Sequence, residues 1–186
     1  LDVPSGLDAD RGSAPGRVVQ ASHTLQLLGP HRGLHTGIAA RCAGTLGLDT
    51  LDADEALAGA PVAAWRLDRS HLRGWIAPRA RDAHKGDSGH VLCIGGDAGK
   101  GGAVMLAADA ALRSGAGLVS VATRPQHVPA LLARRPEAMA HAVEDSAALQ
   151  PLLARADVVA LGPGLGQDTW GAALHAQALA ASRPLV

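Results

Sequence analysis

GHVLCIGGDAGKGGAVMLAADAALRSGAGLVSVAT, residues 89–123, is the stretch whose reading decides the fold. His90–Ile94 is a short apolar run bounded by glycine. Residues 95–102 hold five glycines, and residues 103–113 are rich in alanine and leucine and too long for an ordinary strand. Gly115 and Gly117 stop that segment, and residues 118–122 are apolar again. Strand, glycine turn, helix, glycine turn and strand make a βαβ unit, with parallel strands and a right-handed crossover. The first turn then lies at the carboxyl end of a strand, where open α/β sheets bind ligands. Free backbone N–H groups there and at the helix N-terminus suit an anion.

The turn matches neither common nucleotide fingerprint. A Walker A loop needs a glycine five places before the glycine of Gly-Lys, and Ser or Thr after the lysine. Counting back from Gly99 lands on Ile94, and Gly101 follows Lys100. The Gly-x-Gly-x-x-Gly pattern fails too, because from Gly99 and Gly101 the third glycine would fall at Val104. Close approach of backbone to a ligand would explain so many glycines, and tight strand–helix packing would explain some of them. Within the helix, Met105, Ala108 and Leu112 recur at spacings of three and four, with Val104 and Ala111 beside them. That is a buried face rather than a cofactor box. Asp109 and Arg113 are expected to pair on the outer face, contributing about 0.3–0.5 kcal/mol.

Downstream, residues 125–135 (PQHVPALLARR) read as a helix start, residues 137–139 as the opening of a strand and residues 146–154 as a second apolar helix. DVVAL, at 157–161, reads as a buried strand ending in Gly162-Pro163-Gly164-Leu165-Gly166, followed by a helix over 169–181. Two glycine turns at strand ends of one parallel sheet can face the same crevice. That convergence is the strongest argument from the residues alone for a small-molecule site. Residues 183–186 look like the opening of a further buried strand. Residues 78–82 make a polar approach to the organising unit. Lys85 reads either as a phosphate ligand or as a solvated loop residue, and the residues alone favour the second.

The earlier part is less regular. LDVPSGLDAD, residues 1–10, reads as a strand end entering a tight turn, with Pro4 setting φ and Gly6 free to take positive φ. Asp2, at that strand end, suits a functional carboxylate or an ordinary solvated turn. Residues 18–19 and 24–28 read as strands, and residues 44–48 are apolar and alternating. His23, His31 and His35 make no helical ligand pair, and no third ligand for zinc stands out. Residues 49–68, acidic and then alanine-rich, read as a linker or connecting strand pair.

At 47% hydrophobic over 186 residues, a core is available. A net charge of zero implies no basic face for nucleic acid or an anionic membrane. No apolar run is long enough to cross a bilayer. Phe and Tyr are absent, so only Trp65, Trp75 and Trp170 could stack a base. Cys42 and Cys93 lack metal-ligand spacing and read as buried residues of a reduced, cytoplasmic protein.

Three motifs, in this order, resemble the bifunctional NAD(P)H-hydrate repair enzymes. They are Leu1-Asp2-Val3-Pro4-Ser5-Gly6-Leu7-Asp8; His84-Lys85-Gly86-Asp87-Ser88-Gly89-His90 running into Ile94-Gly95-Gly96 and Gly101-Gly102-Ala103; and Gly162-Pro163-Gly164-Leu165-Gly166. The run ALRSGAGLV, residues 111–119, fits the same family. Such enzymes join an epimerase domain to an ADP- or ATP-dependent dehydratase domain. The fold class implied is α/β, a parallel-sheet three-layer sandwich. Residues 1–55 resemble the last part of a Rossmann-like epimerase domain, residues 56–70 a linker, and residues 71–186 the first part of a ribokinase-like dehydratase domain.

The resemblance implies epimerisation of R and S NAD(P)H hydrate and dehydration of the S form to NAD(P)H, with ADP or ATP, Mg2+ and K+ as cofactors. Asp2 matches the epimerase's substrate-binding aspartate and Ser5 a potassium ligand. His31 stands where the family often has lysine. Ala103, Gly164 and Gly166 match positions lining the hydrated-dinucleotide site, and Lys85, Gly101 and Gly102 are candidate phosphate or nucleotide contacts. The dehydratase's catalytic aspartate is expected beyond Val186. The substrate implied is NAD(P)H hydrate, with no nucleic acid or membrane partner and room for a homo-oligomer. Other readings are a ribokinase-like kinase of a vitamin precursor and a non-catalytic nucleotide-binding module; the segment from Asp2 to Gly6 argues against the kinase. Both domains lack their complementary halves, so this chain alone is expected to catalyse neither reaction. Clearance of NADH hydrate by the purified 186-residue chain would overturn that expectation.

Overall fold

The computed structural model describes residues 2–75 and 78–186. Leu1, which opens the first motif, and Ile76 and Ala77, within the range assigned to the dehydratase part, lie outside the described residues. The chain divides into two compact units, Leu1–Ala77 and Pro78–Val186.

In the second unit, strand β3 (His90–Ile94) leads through helix α4 (Gly101–Ser114) to strand β4 (Leu118–Thr123). Helix α5 (Val128–Arg134), strand β5 (Met139–Ala142), helix α6 (Gln150–Arg155), strand β6 (Val158–Leu161) and helix α7 (Thr169–Ala180) follow. All four strands pair in parallel, in the order β5-β4-β3-β6. The expected strand–turn–helix–turn–strand reading holds, with α4 starting two residues earlier than the apolar pattern suggested. Gly115, at φ 106°, ends α4, and the Ala116 N–H reaches back to the Ala111 carbonyl at 3.0 Å. This is a left-handed cap that only glycine adopts without strain. Asp168 starts α7 by accepting the Gly171 N–H at 2.9 Å.

β3 is buried on both faces, which is why it reads as a continuous apolar run. Leu92 and Ile94 pack with Leu149, Leu153, Trp170 and Leu174 on the α6–α7 side. Cys93 packs with Val104, Ala108, Val121 and Leu131 on the α4–α5 side. Burial pushes the Cys93 thiol up to about 11. The chain places β4 and β5 on one side of β3 and β6 on the other. The strand order therefore reverses between β3 and β6, the switch point at which open sheets leave a crevice.

Two expectations in this unit are corrected. Asp109 does not lie on an open outer face: its side chain is 14% exposed, and its nearest cation is Arg135 Nε at 2.5 Å, with Arg113 at 4.0 Å. Arg135, at the end of α5, is carried over α4 by the packing of the two helices on one sheet face. The end of the chain does run parallel to β6, with Val159 N–H donating to Pro184 O at 2.9 Å and Val186 N–H to Val159 O at 2.9 Å. Leu185 and Val186 are exposed, however, rather than buried.

The first unit has two parallel strands, β1 (His23–Leu27) and β2 (Thr45–Asp49), with helix α1 (Ala39–Cys42) between them in the chain. Helices α2 (Asp54–Ala58) and α3 (Arg69–Trp75) follow. The expected strand at residues 18–19 is absent, and Val19 makes a single turn contact, its N–H to the Ser5 carbonyl at 3.0 Å. Residues 2–4 are likewise irregular: Asp2 meets β1 through its side chain instead of a backbone ladder. Residues 49–68 contain a short helix, not a strand pair; Asp54 and Glu55 in its first turn suit the helix dipole. β1 is inverted in polarity. Thr24 and Gln26 are buried, whereas Leu25 and Leu27 are exposed. Thr24 Oγ1 donates to Ala43 O at 2.7 Å, and Gln26 Oε1 accepts the His31 N–H at 2.8 Å.

A polar relay crosses the core of the second unit. His90 Nδ1 faces the Arg155 carbonyl at 3.1 Å, so that nitrogen carries the proton. His90 Nε2 then accepts from Ser120 Oγ at 2.9 Å, and Ser120 Oγ accepts from His141 Nε2 at 3.3 Å. Burial, then Arg155 and His90, hold His141 below the ordinary histidine range. A histidine depressed in the folded state contributes stability above its unfolded pKa and loses it as pH falls below that value. The urea midpoint is therefore expected to fall between about pH 8 and about pH 5.5, and His141→Gln to flatten that fall.

Candidate functional site

The crevice of the second unit is built where β3 and β6 lie side by side. The Gly96 N–H donates to Pro163 O at 3.0 Å, and the Asp97 N–H donates to Gly164 O at 2.8 Å. The two glycine turns are thus bonded to each other. A Cβ at Gly95 would lie 2.1 Å from the Pro163 carbonyl oxygen, so that contact admits glycine alone. A Cβ at Gly166 would meet Asp97 Oδ2 at 2.8 Å and Lys100 Nζ at 2.9 Å, and one at Gly101 would meet the His127 ring. Most of these glycines are therefore required by the fit of protein against protein. Gly102 differs: it is exposed, on the first turn of α4, and a Cβ there meets nothing within 4 Å.

Asp97 lies at the centre. Its side chain is 8% exposed and its Oδ1 accepts from Arg124 Nε at 3.1 Å, while Oδ2 faces Lys100 Nζ at 3.5 Å. The Ala98 N–H, then Arg124 and Lys100, hold its carboxyl below the usual carboxylate range against the cost of burial. Arg124 also reaches Asp168 Oδ2 at 3.5 Å and lies over the Trp170 ring, 4.3 Å from its centroid. His127 Nε2 donates to the Asp97 carbonyl at 3.0 Å. One carboxylate therefore joins the ends of β3 and β4, and Arg124 extends the link to the start of α7.

The structure brings Gly101, Gly102, Ala103, Gly164 and Gly166 together. Ala103 is exposed beside Gly164. Lys85 is not among them. It precedes β3, and its carbonyl packs against Gly117 at the start of β4, so it lies at the amino end of the sheet. The length of β3 separates it from both glycine turns, and the solvated-loop reading describes where it sits. Asp97, Lys100, Arg124 and Asp168 were missed as site residues. The available signal was position: each is charged and lies within a few residues of a strand's carboxyl end or a helix start.

Asp2 and Ser5 belong to the first unit. Asp2 Oδ1 accepts the Leu27 N–H at 2.8 Å and faces His31 Nε2 at 3.1 Å, and the Leu27 N–H, then His31, hold its carboxyl low. His31 also faces a groove of about 1240 Å³ lined by Gln26, His35, Leu48 and Trp65. Ser5 is exposed, on the turn before Gly6. Among the described residues no group of three or more His, Cys, Asp or Glu is placed to hold a metal ion.

A parallel sheet between two helical layers, with its ligand crevice at the strand switch, defines the second unit as a ribokinase-like α/β domain. The crystal structure of a ribokinase-like superfamily protein from Enterococcus faecalis is similar, with a TM-score of 0.60 and 35% identity over 64% of this chain and 43% of that one. An ADP/ATP-dependent NAD(P)H-hydrate dehydratase from Bacillus subtilis, co-crystallised with ATP and Mg2+, gives a TM-score of 0.51 and 26% identity over 62% of this chain and 42% of that one. The NAD(P)H-hydrate dehydratase family model matches residues 91–186, and the chain belongs to that family. A bifunctional NAD(P)H-hydrate repair enzyme from Coxiella burnetii is 47% identical over the whole chain, which covers 38% of that enzyme. The chain spans about a third to two fifths of the length of such relatives.

The two kinds of glycine separate experimentally. Gly95→Ala is expected to lower unfolding free energy by about 3 kcal/mol or more, through the clash with the Pro163 carbonyl. Gly102→Ala should leave stability unchanged or raise it by up to ~1 kcal/mol, since alanine is the better helix former. Chemical denaturation of both variants checks this.

Proposed function

We propose that the crevice between the two glycine turns binds the hydrated nicotinamide dinucleotide, and that the protein dehydrates the S hydrate to NAD(P)H at the expense of ADP or ATP. The observation that carries this reading is the pairing of the two turns at the strand switch of a domain in the dehydratase family. The Gly102 N–H, on the exposed first turn of α4, suits a dinucleotide's phosphate, whereas the Ala103 N–H already donates to the Lys100 carbonyl at 3.2 Å. When bound, ADP or ATP supplies the phosphoryl group that turns the hydrate's hydroxyl into a leaving group. The chain's own part is to fix the dinucleotide: the Asp97–Arg124–Asp168 link holds the two walls at one separation. Mg2+, entering with the nucleotide, would be held through its phosphates and one or two carboxylates.

For the first unit we propose a part in epimerisation of the hydrate, with Asp2 and His31 facing the substrate. Its groove and the resemblance of its opening motif support this. Potassium fits less well. Ser5 offers an exposed hydroxyl and a carbonyl that also accepts the Val19 N–H; one residue alone does not make a cation site, and no step is assigned to the ion. Two buried free thiols agree with a cytoplasmic setting.

The test uses the full-length protein, ADP or ATP, and an epimeric mixture of NADH hydrate. Recovery of NADH absorbance from the whole mixture is expected. Asp2→Asn should keep the fast phase from the S form and slow the phase from the R form at least about tenfold. No recovery with either nucleotide would overturn the dehydratase reading. An unchanged R phase would overturn the role of Asp2.

A further inference from the structure

Lys100 is the side chain of the crevice with the least to hold it. Its Nζ lies 3.5 Å from Asp97 Oδ2, whereas Arg124 Nε approaches the same carboxylate at 3.1 Å. The Lys100 side chain is 50% exposed, that of Arg124 is 26% exposed, and Asp97 is 8% exposed. Arg124 is held by Asp97, Asp168 and the Trp170 ring together. Removing Lys100 from Asp97 would still leave the carboxylate its Arg124 partner and the Ala98 N–H.

Position adds to this. Lys100 Nζ lies 2.9 Å from where a Cβ at Gly166 would stand, so the ammonium occupies the gap between the two turns. Gly102, two residues on, opens to empty space. The crevice holds two carboxylates, Asp97 and Asp168, against two cations, Lys100 and Arg124, and so is electrically balanced as it stands. A phosphate entering it adds negative charge. The cation able to answer is the one on a flexible stem with rotatable donors, and that is the lysine.

We propose that Lys100 is a phosphate-binding, specificity-setting residue of this crevice, whose ammonium turns from the edge of Asp97 to a phosphate group of the bound dinucleotide. The phosphate is either the bridging diphosphate, present in both dinucleotides, or the 2′-phosphate that distinguishes the phosphorylated one. The inference rests on the reading of the crevice as a dinucleotide site. It adds to that reading a residue outside the glycine motifs and a way to tell the two substrates apart.

The experiment measures binding of NADH, NADPH and ADP to the full-length protein by fluorescence or calorimetry, for wild type, Lys100→Met and Lys100→Arg. Lys100→Met is expected to weaken dinucleotide binding about tenfold, and Lys100→Arg to stay within about twofold of wild type. Equal losses for NADH and NADPH assign the bridging diphosphate; a loss for NADPH alone assigns the 2′-phosphate. Wild-type thermal melting of both variants excludes loss of fold as the cause, and should Lys100→Met melt early, the salt dependence of NADPH binding in wild type and Lys100→Arg replaces it. In that case affinity that does not fall with added salt overturns the proposal. Wild-type binding that Lys100→Met leaves unchanged, or a loss confined to ADP, overturns the role of Lys100 and leaves the dinucleotide site standing. Failure of wild type to bind either dinucleotide overturns the site itself, and the role with it.

Discussion

Two backbone hydrogen bonds, Gly96 N–H to Pro163 O and Asp97 N–H to Gly164 O, set the separation of the crevice walls, and the rest of the second unit is arranged around them. They form only because β3 and β6 are neighbours, and β3 and β6 are neighbours only because the chain reverses its direction of strand addition after β5. They also form only because Gly95 has no side chain to meet the Pro163 carbonyl. Sheet topology and one missing methyl group thus act on the same few ångströms. Neither would be sufficient alone.

The charges follow from that backbone arrangement. Holding Asp97 at the join buries a carboxylate, which would be costly without partners. Arg124 meets it from the end of β4, and the guanidinium plane is free to lie on Trp170 while its other edge reaches Asp168. Asp168 in turn caps α7, and Trp170 anchors that helix through its indole N–H on the Val143 carbonyl at 2.9 Å. A change at Arg124 would therefore reach the start of α7 as well as the crevice. The coupling is a chain of direct contacts between charged and aromatic groups.

The order of strands and helices from residue 89 onward could be read from the sequence, because buried parallel strands and glycine-flanked helices differ in length and periodicity. The first unit could not be read as well. Thr24 and Gln26 are buried through hydrogen bonds to Ala43 and His31, and no hydropathy pattern reveals such partners. At the site, the pairing of the two turns followed from both lying at strand ends. Their adjacency required the strand order, which sequence spacing does not contain. Lys85 shows the converse limit: closeness in sequence to a glycine turn says nothing when a strand runs between them. Asp109 escaped because its partner Arg135 comes from another helix, and only packing brings the two together.

The inverted polarity of β1 has a consequence for how the first unit tolerates change. Along His23–Leu27, the usual scale of inside and outside runs backwards. Leu25 is 45% exposed, so making it polar removes only part of a contact, that beside Gly47 on β2. Making Gln26 apolar strands the His31 N–H without its acceptor. A ranking of substitutions by hydrophobic character alone would miss that bond and call the damaging change at Gln26 an improvement.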